Sequence, residues 1–276
     1  MILKWDGRIW TPQSSGTSSS LFSVWGLDAN NLWAVGEAGT ILKWDGVVWN
    51  RQASGVTVGL NSVSGSDAQN IWVLGSYNNL LRWNGTTWVS QPSPSSMELL
   101  SIWCGNANNV WAVGGAGTIL KYNGTEWLVQ PTGLEKSLFG VWGIDANNVW
   151  AVGGNVGVIL RYNGSVWSSQ DGADLKIFDV WGSDINNVWA VGVVNVLKWD
   201  GRAWSVEASP SEDWLLGLWG SDARHVWAVG RTGRLFMFNG TAWSKQPSNT
   251  NNSIEGIWGS DVNNIWAVCR PVIFSD

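Results

Sequence analysis

Charged and metal-binding side chains are scarce in this chain of 276 residues. Only 13% of the residues are charged, the formal net charge is −5, and His225 is the single histidine. No stripe of basic residues is present, so the electrostatic footprint of a nucleic-acid-binding protein is missing. No run of 18 or more apolar residues is present either, and we therefore predict no insertion into a membrane.

Cysteine is equally rare. Cys104 and Cys269 fall in different copies of the repeat described below, whereas a disulfide requires Cα atoms within about 7 Å of each other. We expect two free thiols that face the core. The first residues, MILKWDGRIW, lack the regions of a signal peptide. They begin in the middle of a repeat, which is typical of an excised or trimmed domain.

Tryptophan, by contrast, occurs 25 times and recurs at a spacing of about 39 residues. A first series, in which Ser64 replaces tryptophan in the second copy, comprises Trp25, Trp103, Trp142, Trp181, Trp219 and Trp258. The second series comprises Trp33, Trp72, Trp111, Trp150, Trp189, Trp227 and Trp266, and the third Trp10, Trp49, Trp88, Trp127, Trp167, Trp204 and Trp243. Three independent series thus give seven copies.

Each copy contains four short segments with the alternation of strands, for which we use the letters A to D. In the first complete copy they read LFSVWG, NLWAVG, TILKW and VVWNRQ. Seven four-stranded units at this period predict an all-β fold, a seven-bladed β-propeller. The chain starts at strand C and ends after strand B, so its two ends complete one blade. We predict one closed domain over residues 1–276, rather than an open solenoid with polar caps.

Two turns recur in every copy. The A–B turn, LDANN in the first copy, predicts an Asx turn, an interpretation that we prefer to a calcium site because one carboxylate per turn is too few. The C–D turn carries Asp-Gly or Asn-Gly, which favours a type I′ hairpin. This turn also explains four formal glycosylation motifs, at Asn84, Asn123, Asn163 and Asn239.

Two further positions, compared across the seven copies, indicate how the blades pack together. Two residues before the first tryptophan, six of the seven copies have Ser or Gly, as a crowded inner ring requires: Ser23, Ser62, Ser101, Gly140, Asp179, Gly217 and Gly256. Strand C carries a basic residue in every copy but the one with Met237: Lys4, Lys43, Arg82, Lys121, Arg161 and Lys198. We expect their stems to pack between aromatic rings, with the charge near a ring face or a carboxylate.

The B–C and D–A loops vary between copies, and the topology brings both to one face. Variable loops on a rigid scaffold are where binding usually resides, although simple drift would also produce such variation. Trp214 is the one tryptophan outside the repeat, and it lies beside Glu212 and Asp213. With Tyr77, Asn78 and Arg231 from other loops of this face, these residues form our predicted ligand-binding set.

Catalysis is not predicted. His225 replaces an Asn of the A–B turn, which is a turn substitution rather than a general base. No phosphate loop, HExxH helix or nucleophile elbow is present. Asp179 and Glu255 could line the channel, but they belong to different copies, and nothing in the sequence places them at a catalytic separation. We expect no cofactor and no metal.

The phrase VWGSDxNNVWAVG…GTILKWDGxxW resembles bacterial tryptophan-rich β-propeller repeat proteins over the whole chain. The pairing of VWG with DGxxW is more distantly similar to tectonin repeats and seven-bladed propeller lectins. That resemblance implies glycan recognition and a secreted or cell-surface location, although no sugar-binding residue can be carried over. The alternative is a protein-interaction scaffold, which could be a module of a larger exported protein. In either case we predict a monomer that binds a carbohydrate or a protein.

Overall fold

The computed structural model describes residues 1–171 and 174–271, which form seven four-stranded antiparallel sheets arranged as blades. The chain begins with the outer strands of blade 7, β1 (Ile2–Trp5) and β2 (Trp10–Gln13). Blades 1 to 3 comprise β3 (Leu21–Asp28), β4 (Asn31–Gly36), β5 (Thr40–Trp44), β6 (Trp49–Gln52); β7 (Leu60–Asp67), β8 (Asn70–Gly75), β9 (Asn79–Trp83), β10 (Trp88–Gln91); and β11 (Leu99–Asn106), β12 (Asn109–Gly114), β13 (Ile119–Tyr122), β14 (Trp127–Gln130).

The remaining blades follow the same order. Blades 4 to 6 comprise β15 (Leu138–Asp145), β16 (Asn148–Gly153), β17 (Val158–Tyr162), β18 (Trp167–Gln170); β19 (Ile177–Asp184), β20 (Asn187–Gly192), β21 (Val196–Trp199), β22 (Trp204–Glu207); and β23 (Leu215–Asp222), β24 (His225–Gly230), β25 (Leu235–Phe238), β26 (Trp243–Lys245). Blade 7 contributes β27 (Ser253–Asp261) and β28 (Asn264–Arg270). Short 3₁₀ turns occur at Gly115–Gly117 and Arg231–Gly233. Within the described residues, no helix has the length and apolar character needed to cross a membrane.

The ring is closed within blade 7, as the sequence predicts. Its strand order is β2-β1-β28-β27, and Ile2 pairs with Val268 and Trp5 with Ile265. Seven hydrophobic clusters fill the seven gaps between neighbouring blades, including the gap between blades 7 and 1. The core therefore consists of seven sheet-on-sheet contacts arranged in a ring, and every blade packs against two neighbours.

The second tryptophan series, on strand B of each blade, forms the most deeply buried layer. All seven rings are between 0% and 2% exposed, and each is large enough to bury about 150–250 Å². Two third-series rings meet them edge-on: Trp72 and Trp127 lie 5.2 Å apart at 86°, and Trp111 and Trp167 lie 5.3 Å apart at 85°. Most rings of the first series are only partly buried, so the repeat tryptophans that fill the gaps come chiefly from strands B and D.

The strand C cations pack as predicted, over the ring of the strand B tryptophan beside them. Distances from the charge to the ring centroid run from 4.8 Å for Lys121 over Trp111 to 5.3 Å for Lys43 over Trp33, and all six basic residues make this contact. Five of them also lie over an aromatic ring of the next blade. These residues therefore tie neighbouring blades together.

The A–B turns are Asx turns, as expected: Asn30 donates its backbone N–H to Asp28 Oδ1 at 2.8 Å, and Asn31 donates its side-chain amide to the same carboxylate. The type I′ prediction for the C–D turns is wrong. Four residues separate Trp44 from Trp49, and of these only Gly46 has a positive φ (+98°). The Asp45 carboxylate accepts the N–H groups of residues 47 and 48, so the side chain stabilises a longer loop.

Consecutive left-handed residues are found in the B–C loops instead. Ala38 and Gly39 have φ of 52° and 64°, and Thr40 donates its N–H to Glu37 O at 3.0 Å, which closes a type I′-like turn. In blade 2 the same two positions are Tyr77 and Asn78, with φ of 59° and 60°. Because left-handed backbone costs energy in non-glycine residues, this loop is held in place by its surroundings.

The Ser and Gly column forms the inner ring as predicted. The Ser23 hydroxyl accepts the N–H of Val63 in the next blade at 3.2 Å. A Cβ added to Gly140 would lie 2.9 Å from Phe178 O. Larger side chains would therefore force neighbouring strands apart. Both thiols, Cys104 and Cys269, are buried and free, also as expected.

Candidate ligand-binding face

The B–C and D–A loops lie on one face of the ring, which we call the variable face. Strands A and C run toward the opposite, fixed face, because neighbouring strands in every blade are antiparallel. The A–B and C–D turns of the fixed face are closed by their own Asx side chains. The D–A loops of the variable face carry serine caps instead, as where the Ser54 hydroxyl donates to Val56 O at 3.1 Å, and these loops differ in sequence between blades.

A ring of side chains at this mouth was not anticipated from the sequence. Each strand A contains a β-bulge at its second or third residue, which leaves one residue per blade outside the ladder. These seven partly buried bulge residues are Phe22, Asn61, Leu100, Phe139, Phe178, Leu216 and Glu255. A sequence signal for these residues exists, because they recur at the repeat spacing. The bulge interrupts the alternation of inward and outward side chains along strand A, however, so alternation alone does not predict that they lie at the mouth.

Three aromatic rings form a continuous arc on one side of the mouth. The Phe139 and Phe178 centroids are 6.0 Å apart, and Phe178 and Trp214 are 5.2 Å apart at 33°. Offset, tilted contacts of this kind are favourable for aromatic pairs. The arc spans blades 4 to 6 and is partly exposed, so it offers an apolar surface inside a polar rim.

Trp214 is held rigidly although it lies in a loop. Its backbone pairs with Val193 of the preceding blade in an isolated bridge. Its carbonyl accepts the N–H of Arg231 at 3.1 Å, and its N–H is donated to Asp213 Oδ1 at 2.7 Å. Asp213 Oδ2 in turn accepts the Thr232 hydroxyl at 3.1 Å. The indole is therefore positioned before any ligand arrives.

Cations accompany the aromatic rings of the mouth. The Arg231 guanidinium lies 3.5 Å from the Trp214 ring centroid. Lys176 lies 4.5 Å from Phe139 and 5.2 Å from Phe178, and Arg270 lies 5.9 Å from Phe22. Within residues 1–171 and 174–271, the one basic side-chain nitrogen within ion-pair distance of a carboxylate is His225 Nδ1, which lies 2.9 Å from Asp222 Oδ2 in an A–B turn. Lys176, Arg231 and Arg270 therefore have no carboxylate of the described residues within that distance.

A cavity of about 350 Å³ opens beside the arc, between blades 6 and 7. Trp214, Leu216 and Arg231 line one side, and Glu255 and Arg270 line the other. The Ser253 hydroxyl in its wall is buried and has no hydrogen-bond partner, a state that costs free energy unless water or a ligand satisfies it. The cavity combines apolar, cationic and hydrogen-bonding groups.

The structure brings together half of the predicted ligand-binding set. Trp214 contacts both Asp213 and Arg231, whereas Glu212 is exposed and does not line the cavity. Tyr77 and Asn78 lie on blade 2; Tyr77 is 86% exposed, and Asn78 donates its side-chain amide to Ser95 O at 3.1 Å. Phe139, Phe178 and Lys176 complete the cluster and were missed.

The two channel carboxylates occupy different environments. Glu255 is a bulge residue at the mouth. Asp179 belongs to the inner ring, where its carboxylate accepts the N–H groups of Val180 at 2.9 Å and Leu218 at 2.8 Å. Burial raises the pKa of Asp179 to about 7, against the opposing effect of these two bonds. The contacts join blades 5 and 6, which is a structural role. No group of three potential metal ligands occurs in the described part of the chain.

The chain is similar to solved structures in fold, whereas comparisons of its sequence find no match. No family model and no curated protein sequence matches it. Among solved structures it is similar to YCF48 bound to D1 peptide (TM-score 0.75, 15% identity, 92% of this chain and 90% of that chain). YCF48 from Cyanidioschyzon merolae (0.75, 20%, 94% and 95%) and the WD40 β-propeller domain of Doa1 (0.73, 12%, 92% and 93%) are also similar. Identities this low show a shared propeller fold alone.

Proposed function

We propose that this propeller is a non-enzymatic module that binds a peptide segment of a partner protein at the channel mouth. The observation that carries the proposal is the preformed arc of Phe139, Phe178 and Trp214, with the Arg231 guanidinium over the Trp214 ring. Clustered aromatic and arginine side chains are the residues that most often dominate protein-binding surfaces. One neighbour of the same fold is described as bound to a peptide.

Peptide recognition fits the mouth better than the glycan recognition implied by the lectin-like resemblance. The three arc rings contact one another in series and apolar Leu216 lines the cavity beside Trp214, so an extended chain could lay several apolar side chains along them. None of the comparisons supports a lectin, and the glycan hypothesis stays a prediction that the same experiment can address.

The test is selection of binding peptides from a random displayed library, in parallel with a glycan array, followed by affinity measurement for the best ligand. Trp214→Ala should weaken a selected peptide at least tenfold, because a central aromatic anchor is worth about 2 kcal/mol or more. Phe178→Leu should weaken it less, since it preserves much of the apolar contact.

Tyr77→Ala is the matched control, because it removes an exposed aromatic ring from the same face on blade 2. Affinity should be unchanged in this variant. Equal losses in Trp214→Ala and Tyr77→Ala, or a glycan signal without any selectable peptide, would refute the proposal. Thermal unfolding of each variant separates lost binding from lost folding.

A further inference from the structure

We infer that blade 6 carries a second site, a pocket at its rim that binds a phosphoryl group. The cavity measures about 470 Å³ and lies between the end of the B–C loop at Thr232 and Gly233 and the D–A loop over residues 246–251. Arg234, just before β25, and Lys245, at the end of β26, supply its charge. No carboxylate from the described part of the chain lines it.

The pair of cations is particular to this blade. The position of Arg234 is occupied in the other blades by uncharged side chains: Met1, Thr40, Asn79, Thr118, Val158 and Asn195. At the position of Lys245, only blade 1 among the other blades carries a cation, Arg51. The residues there are Pro12, Arg51, Ser90, Val129, Ser169 and Val206. Since six blades fold without both charges, the ring does not need them for packing.

Arg234 lacks the side-chain partners that the half-buried Arg82 and Arg161 have. Its Nε is buried without a hydrogen-bond acceptor. Arg161 also has an unpartnered Nε, but its guanidinium donates to Asn148 Oδ1 at 3.3 Å and lies over Trp150. Within the described residues, neither Arg234 nor Lys245 is within ion-pair distance of a carboxylate. Since Arg234 and Lys245 both line the cavity, an acceptor bound there would supply the partner that the described carboxylates do not.

The chemistry of the pocket favours a phosphoryl group. A guanidinium presents a planar fork of donors and an ammonium adds a point charge, a combination that suits an oxyanion with several acceptor oxygens. A phosphoryl group carries up to two negative charges near neutral pH, which two cations balance. The remaining lining is polar apart from Pro247, so a neutral apolar ligand has little to contact.

Calorimetric titration of the whole chain with N-acetyl-O-phosphoserine amide, with N-acetylserine amide as the uncharged counterpart, tests the inference. We expect binding of the phosphorylated compound alone, weakened at least tenfold in both Arg234→Thr and Lys245→Ser. These variants introduce the residues found at the same positions of other blades, so folding should be preserved. Competition by inorganic phosphate then distinguishes a site for free phosphate, which displaces the compound fully, from one that needs the attached amino acid.

Arg51→Ser is the matched control, since it removes a cation from the Lys245 position of blade 1. Binding should be unaffected there. Absence of binding to the native chain, or an equal loss in Arg51→Ser, would overturn the inference, because the effect would then be absent or due to total charge. The peptide proposal is independent of this result, since Arg234 and Lys245 do not line the cavity beside Trp214.

Discussion

Asp179 is the one ionisable side chain in an inner ring of serine and glycine. In blades 1 and 2 a serine hydroxyl at this position accepts a backbone N–H from the next blade, and Asp179 makes the equivalent bond to Leu218 with a carboxylate. Burial raises the pKa of this carboxyl to about 7 from its usual 3.8. At pH values between 3.8 and about 7, the folded protein therefore holds a proton on Asp179 that the unfolded chain releases.

This residue should make stability depend on pH. Between about pH 4 and pH 7 the folded state binds more protons than the unfolded state, so the free energy of unfolding falls as pH rises. Asp179→Ser should remove this slope. The stability of the variant relative to the native protein should therefore rise by about 1–3 kcal/mol between pH 5 and pH 8. Urea unfolding at several pH values measures it. Ser62→Ala, which removes an inner-ring acceptor without a titrating group, should shift stability equally at every pH, and an unchanged slope in Asp179→Ser would contradict the expectation.

The interface between blades 2 and 3 differs from the other six at two residues in contact, one smaller and one larger than their counterparts. In those six, the tip of the strand A tryptophan packs on a glycine of the next blade; a Cβ on Gly65, for example, would lie 2.6 Å from Trp25 Cη2. Blade 2 has Ser64 instead of tryptophan, and blade 3 has Cys104 instead of that glycine. Cys104 donates its N–H to Ser64 Oγ at 3.0 Å, so the larger side chain fills the space beside the smaller one.

The two positions should therefore be energetically coupled. Ser64→Trp alone should destabilise by about 2 kcal/mol or more through overpacking against Cys104, and Cys104→Gly alone by about 1–2 kcal/mol through a cavity. Ser64→Trp combined with Cys104→Gly recreates the interface of the other six gaps and should be close to native stability. Denaturant unfolding of the four proteins gives the coupling free energy, expected at about 3 kcal/mol. Additive losses would show that the two positions are not energetically coupled.

Some of these structural features could be predicted from the sequence and others could not. The repeat spacing, the buried tryptophans and the strand C cations could be predicted, because each rests on a periodicity that the sheet enforces. The C–D turn was mistaken because Asp-Gly is a local signal, and the length of the loop overrode it. The mouth residues Phe139 and Phe178 were missed because one bulge shifts the alternation. Trp214 could be singled out only as an exception to the repeat, and its contact with Arg231 depends on two loops from different parts of the chain.

For the molecule as a whole, closure depends on hydrogen bonds between the first and the last strands. Deleting residues 1–13 removes β1 and β2 and leaves β28 as an open edge beside an unfilled gap. We expect this deletion to abolish the cooperative thermal transition, measured by tryptophan fluorescence, because the two neighbouring gaps lose Ile2, Leu3 and Trp10 from their clusters.

A circular permutant is the control for this deletion. Cys269 donates its N–H to Met1 O at 3.0 Å, so a loop of about three residues from Pro271 to Met1 would reproduce an ordinary B–C loop. New ends placed in the D–A loop at Ser95 leave every blade intact. The permutant should retain a cooperative transition near that of the native chain, and its failure to fold would mean that closure alone does not account for stability.

The pairing of β1 with β28 also sets how the molecule responds to tension. These strands are antiparallel, with Ile2 opposite Val268, so a pull applied at residues 1 and 271 loads their hydrogen bonds one after another instead of all together. Peeling of this kind requires little force. Blade 7 should consequently unfold first when the protein is stretched from its ends. The other six blades are each formed by one continuous segment of the chain, so they are not loaded in this way.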